Sequence, residues 1–177
     1  MLSFLHALGR QHDRLTRLGA VISALCLGGI VVLYGGEIVT RHFLHSPTSW
    51  SSAVAVYLLL ATVMLMLPSL TMNIDHVAVS IAEEHFTPRY AFLSAAAVLA
   101  ISAAICFLSA FFSLSETMRA FTRGTLTTDT LFVPKWWLLS LVVYGLTSAT
   151  IHFIRHLCGL VARDRHLLIT NGRETAQ

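Results

Sequence analysis

The nine histidines of this 177-residue chain are the side chains best suited to bind a metal ion or a haem. His152 and His156 are four residues apart, so on a helix both would lie on one face. Neither has a carboxylate or a cysteine partner in its local motif, which a typical metal site would supply. His42 and His45 form a second close pair, outside the apolar runs. We therefore predict histidines at a membrane interface, with no metal site and no cofactor.

The sequence contains none of the common motifs of zinc proteases, phosphate-binding enzymes or serine hydrolases. Glu83, Glu84 and His85 do not have the His-Glu-x-x-His spacing of zinc proteases. The sequence also has neither a phosphate-binding glycine-rich loop nor a Gly-x-Ser-x-Gly motif. We predict that the chain is not an enzyme.

Glu37 is the acid closest to an apolar run, and Arg41 follows it by four residues. This spacing lets the two side chains neutralise each other on one helix face. We predict a structural pair of Glu37 and Arg41. The alternative is that Glu37 is a coupling site for an ion.

The elements that must position these residues are long apolar runs. Apolar residues make up 55% of the chain, charged residues only 12%, and the mean hydropathy is +0.71. A charge at the centre of a span costs roughly 2.5 to 3.5 kcal/mol, so charge-free runs of about 20 residues are what insertion requires. A soluble helical core is the other reading, but the few polar residues could not cover four such runs. We predict an all-α integral membrane protein with four transmembrane helices, at about residues 18–40, 51–72, 90–115 and 136–154.

Three regions follow from these spans. Residues 1–17 place leucines opposite arginines at helical spacing, which predicts an amphipathic segment in the cytoplasmic interface. Residues 18–154 form the four-helix transmembrane domain, and residues 155–177 form a cytoplasmic tail. A second short interfacial helix is predicted around residues 74–82, between the second and third spans.

Charge placement predicts the orientation. If both termini and the loop of residues 73–89 are cytoplasmic, eight of the twelve basic residues lie inside. Trp50, Trp136 and Trp137 then all lie at the outer interface, which suits amphipathic indoles. The basic residues form no contiguous aromatic-lined face, so we expect no nucleic-acid partner.

Two stripes of small residues repeat every four positions. The first contains Ala20, Ala24 and Gly28, and the second starts at Ala96. Such stripes let helix backbones approach closely, either within this chain or against another membrane protein.

Three short segments carry a family resemblance. Residues 41–50 read RHFLHSPTSW and contain Arg41, Pro47 and Trp50. His76 lies in a His-hydrophobic-x-hydrophobic segment after the second span, and Pro134 and Trp136 stand two apart before the fourth. In this order, the segments resemble the small membrane subunit of tripartite ATP-independent periplasmic (TRAP) transporters, the DctQ-like family. That family commonly has a Glu shortly after the first tryptophan, where this chain has residues 51–53 (SSA).

The resemblance implies a role in a bacterial inner membrane. A periplasmic solute-binding protein would deliver an organic acid or similar solute, and a large permease subunit would move it with a sodium gradient. This chain would hold the large subunit in the lipid bilayer, with Arg41, Pro47, Trp50, His76, Pro134 and Trp136 as candidate interface residues.

Two other functions stay open at this point. One is a self-contained carrier or channel formed by oligomerisation, which would need Glu37. The other is a small membrane enzyme using His42, His45 or the pair of His152 and His156.

Overall fold

The computed structural model describes the backbone of residues 2–44, 50–73, 88–127 and 131–174, and the side chains of residues 9–43, 50–73, 90, 92–127 and 131–162. The described chain forms four long helices: α1 (Leu2–Leu44), α2 (Ser51–Met72), α3 (Pro88–Arg123) and α4 (Lys135–Glu174). Each helix contains a stretch long and apolar enough to cross a membrane. The prediction of an all-α chain with four spanning helices is confirmed.

The helices continue past the predicted spans. α1 runs through Arg17 without a break, and α4 continues beyond Ile154. An α-helix satisfies its own backbone hydrogen bonds, so it need not end where the hydrocarbon ends. The division into an interfacial segment at 1–17, a membrane domain at 18–154 and a tail at 155–177 therefore stays a prediction. The interfacial helix predicted around 74–82 lies outside the described residues.

The helices alternate in direction. α1 packs on α2, α2 packs on α4, and α4 packs on α3, which places α2 and α4 in the middle. At one end, α1 meets α4 through Asp13 and Arg155. At the other, Glu37 of α1 meets Ser51 of α2, and Trp136 of α4 meets α3. We call these the histidine end, which holds His12 and His152, and the tryptophan end, which holds Trp50, Trp136 and Trp137.

Small side chains occupy most of the interior. The buried apolar residues are mainly alanines, including Ala53, Ala103 and Ala149, whereas bulky side chains such as Leu25 and Val32 point outward. A bilayer solvates leucine and valine as well as a protein core does, so burial of large side chains brings no gain there. Close helix packing, which small residues allow, is what remains to hold the bundle together.

Most residues of the two small-residue stripes do not lie at the contacts between helices. Ala24, Gly28, Ala100 and Ala104 are exposed on the outside of the bundle. The close approaches involve other glycines. A Cβ atom on Gly19 would lie 3.2 Å from the Leu65 carbonyl oxygen.

Pro68 lies inside α2, and the helix continues past it to Met72. Proline has no N–H, so the Met64 carbonyl cannot receive its usual helical hydrogen bond from position 68. At this point α4 approaches α2 closely, since a Cβ atom on Gly145 would lie 2.5 Å from the Met64 oxygen. Glycine at 145 lets the α4 backbone approach the carbonyl that Pro68 leaves without a helical donor.

Candidate functional site

A cluster of polar side chains joins α1 to α4 at the histidine end. The Thr16 hydroxyl lies 3.2 Å from Nε2 of His152, and the Ser148 hydroxyl lies 3.1 Å from Nε2 of His12. The two imidazole rings stack, with centroids 4.7 Å apart and an interplanar angle of 18°. Thr16 is 0% exposed and His152 is 1% exposed. His152 is therefore a buried packing residue between α1 and α4, and its place at a membrane interface stays a prediction.

Helical periodicity brings these residues together. On α1, His12, Thr16 and Ser23 lie at spacings of four and seven, along the face that packs into the bundle. On α4, Ser148 and His152 have the same spacing of four. Each helix thus presents a row of polar groups to the other, and the hydroxyls meet the ring nitrogens.

An ion pair extends the cluster toward solvent. Both Arg155 Nη atoms contact the Asp13 carboxylate, at 2.6 and 3.4 Å. The side chains of Arg155 and Asp13 are 46% and 29% exposed. Next to this pair, Nε2 of His156 lies 2.8 Å from the Thr71 carbonyl oxygen, which connects α4 to the last turn of α2. Three helices are joined at this end.

The cluster does not have the composition of a metal centre. Within the part of the chain whose side chains are described, no three His, Cys, Asp or Glu side chains converge on one point. The Nε2 atoms of His12, His152 and His156 each have an oxygen of another helix within hydrogen-bond distance. The arrangement can orient helices and order their polar groups.

At the tryptophan end, Ser51 donates a hydrogen bond to Oε2 of Glu37 and so joins the start of α2 to α1. Among the described side chains, the ion pairs are Arg155–Asp13 and Arg119–Glu116, so the pair of Glu37 and Arg41 stays a prediction. Arg41 is exposed, as is Trp50, whose carbonyl accepts the first hydrogen bond of α2 from Val54. Pro47 and His76 lie outside the described residues.

The connection between α3 and α4 contains the other two candidates. Residues 125–127 lie beside residues 131–135, with an isolated antiparallel bridge between Leu126 and Pro134. The Thr127 hydroxyl bonds the Leu131 carbonyl and the Val133 N–H across the turn. Trp136 packs edge-on against Phe121 of α3, with ring centroids 5.5 Å apart. Pro134 and Trp136 therefore help to fix how α4 starts against the end of α3.

Residues 30–163 match the protein family described as tripartite ATP-independent periplasmic transporters, DctQ component. The chain belongs to this family. DctQ proteins are the small permease components of TRAP transporters, so this chain is a transporter component of the membrane and not an enzyme. A search of the curated proteins gave no match.

Only part of the polar cluster lies within the residues that match the family. Ser148, His152 and Arg155 lie within the matched residues of this DctQ chain, whereas His12 and Thr16 precede them. Sequence reasoning did not find the cluster. The signal was present as polar residues at helical spacing, but each row is informative only once the two facing helices are known.

Proposed function

We propose that this DctQ chain is a membrane scaffold for the large permease subunit of its transporter. The large subunit would move an organic acid or similar solute with a sodium gradient, and a periplasmic solute-binding protein would deliver it. The family match carries this proposal, because a small permease component has a place in a three-part system. We place the chain in a bacterial inner membrane, with both termini in the cytoplasm.

The polar groups of the bundle support a scaffold. Within the described residues, no buried side-chain nitrogen or oxygen lacks a hydrogen-bond partner. Ser23 donates to the Thr62 carbonyl at 2.8 Å, and Thr16 and Ser148 contact histidines. A solute or cation in transit needs polar groups that can exchange partners, and the buried polar side chains described already have partners within the chain.

Reconstitution in liposomes under a sodium gradient tests the proposal. The chain is inserted alone, with the large subunit, and with the large subunit plus the binding protein and its solute. We expect uptake only in the complete mixture, because the substrate and cation sites lie in the partners. Sodium-driven uptake by this chain alone would contradict the scaffold role and favour an oligomeric carrier with Glu37 as its coupling residue.

The same assay tests the role of the segment at residues 41–50, which contains Arg41 and Trp50. Trp50 is exposed at the tryptophan end and precedes the first residue of α2. We propose that it contacts the large subunit or the membrane–water interface, and not the solute. Trp50→Ala, and likewise Arg41→Ala, should lower the amount of assembled complex and the uptake rate in proportion. The matched control is Trp137→Ala, which removes another exposed indole outside this segment. A changed preference among solutes would contradict the proposal.

A further inference from the structure

The outward face of α1 carries a continuous line of exposed residues that changes from basic to apolar. Arg10, Arg14 and Arg17 lie at spacings of four and three, and all three side chains are exposed. Val21, Leu25 and Val32 continue the same line and are 59%, 71% and 75% exposed. The face opposite packs into the bundle through Thr16, Gly19 and Ser23, so this line points away from the other helices.

The continuity of α1 determines what this line can bind. α1 is a single helix from Leu2 to Leu44, so the arginines are in register with the apolar residues that follow. Half a bilayer core is about 15 Å thick, which is about ten helical residues. An acyl chain beginning at Arg17 would therefore pass Val21 and Leu25.

Charge identifies the headgroup. Residues 1–36 contain a single acid, Asp13, and its carboxylate is bound by Arg155 of α4. The three arginines thus lie on a helix face whose nearby acid is already neutralised. Guanidinium groups bind phosphate through paired hydrogen bonds, which gives geometric fit as well as charge.

We propose that this line binds an anionic phospholipid. Its phosphate would lie against Arg10, Arg14 and Arg17, and one acyl chain would follow Val21 and Leu25. A lipid suits the line better than a protein partner, because one molecule supplies a phosphate at the boundary and hydrocarbon beside it in the required order. This site is independent of the transport role proposed above.

Native mass spectrometry of the full-length chain tests the site. The protein is equilibrated with equal amounts of phosphatidylglycerol and phosphatidylcholine of identical acyl chains, and the ratio of the two retained lipids is measured. We expect a ratio above one. Replacing all three arginines by glutamine should bring the ratio down to about one at low salt, since these residues supply the attraction for the anionic headgroup. Measuring a ratio on the same particles removes the effect of protein yield.

Two controls make the test specific. Replacing the same arginines by lysine keeps the charge and should retain most of the preference. Arg119→Gln with Arg123→Gln removes two exposed arginines from the tryptophan end and should leave the ratio unchanged. A ratio of one in the wild type, no change in the glutamine variant, or an equal fall in the Arg119 and Arg123 control would overturn the proposal.

Photo-crosslinking then identifies the occupant in the assembled transporter. A benzoylphenylalanine in place of Leu25 is activated in membranes that contain all transporter parts. A phosphatidylglycerol adduct is the expected product. An adduct with the large permease subunit, or with a second copy of this chain, would show that a protein covers the line and would overturn the lipid site.

Discussion

Thr16 and His152 are the most deeply buried polar residues of the cluster, and each gives the other its hydrogen-bond partner across two helices. If one partner of a buried pair is removed, the other stays buried without a hydrogen bond. The free energy lost by removing that group from water is then no longer offset. In membrane proteins such pairs contribute modestly, on average about 0.6 kcal/mol and at most about 1.7 kcal/mol in measured cycles. The pair therefore has a measurable effect on stability without dominating it.

Replacing Thr16 by valine tests this contribution, because valine has nearly the same shape and no hydroxyl. We expect Thr16→Val to lower the free energy of unfolding by about 0.5 to 1.7 kcal/mol. Chemical unfolding of the full chain in detergent micelles measures the loss. Thr122→Val is the matched control, since Thr122 is exposed and its hydroxyl bonds carbonyls of its own helix. Equal losses in the two variants would contradict a specific role for the buried pair.

At the scale of elements, α2 is held between its neighbours over residues 62–65. Ser23 and Gly19 approach it from α1, and Gly145 approaches it from α4. Pro68 adds to this, because it frees the Met64 carbonyl that Gly145 faces. Backbone contact at a few small residues thus sets the distance between the three helices, in keeping with close packing in membranes.

Gly145→Ala should force α2 and α4 apart, because its Cβ atom would lie 2.5 Å from the Met64 oxygen. This oxygen belongs to the helix backbone, so it cannot move aside as a flexible side chain could. Overpacking of this kind costs about 1 to 3 kcal/mol. The measurement is thermal unfolding of the chain in detergent. Gly159→Ala serves as the control on the same helix, where a Cβ atom would meet nothing within 4 Å. That variant should be neutral or up to about 1 kcal/mol more stable, since alanine favours helix. A stable Gly145→Ala protein would mean that the two helices are free to separate.

At the scale of the whole molecule, the contacts place chain segments at common ends. Asp13 and Arg155 meet at the histidine end, so the start of α1 and the later part of α4 lie on the same side of the bundle. The three tryptophans all lie at the opposite end of the bundle. The contacts do not say which end faces the cytoplasm. The basic residues are more numerous toward the histidine end, which favours a cytoplasmic position for that end.

Reporter fusions test this orientation. A fusion of alkaline phosphatase after Gln177 should be inactive, because the enzyme folds only outside the cytoplasm, and a fusion near Thr127 should be active. Green fluorescent protein at the same two positions should give the reverse pattern and so controls for expression. Phosphatase activity after Gln177, together with a silent fusion near Thr127, would invert the assignment.

The sequence by itself determined that the chain is all-α, that four stretches are apolar enough to span a membrane, and that its motifs resemble DctQ proteins. These properties are local: an apolar run of about 20 residues in lipid must form a helix to satisfy its backbone, whatever lies beside it. The order of the segments around Trp50, His76 and Trp136 then pointed to the family that the match over residues 30–163 shows.

Only the tertiary structure decided which helix faces meet. Thr16 and His152 are 136 residues apart, and their contact depends on how α1 and α4 are rotated about their axes. Spacing along one helix identifies a face but not its neighbour, so the stripe containing Ala24 and Gly28 could equally have been inside or outside. The structure shows that Ala24 and Gly28 of this stripe are exposed, whereas α1 approaches α2 through Gly19 on its other face.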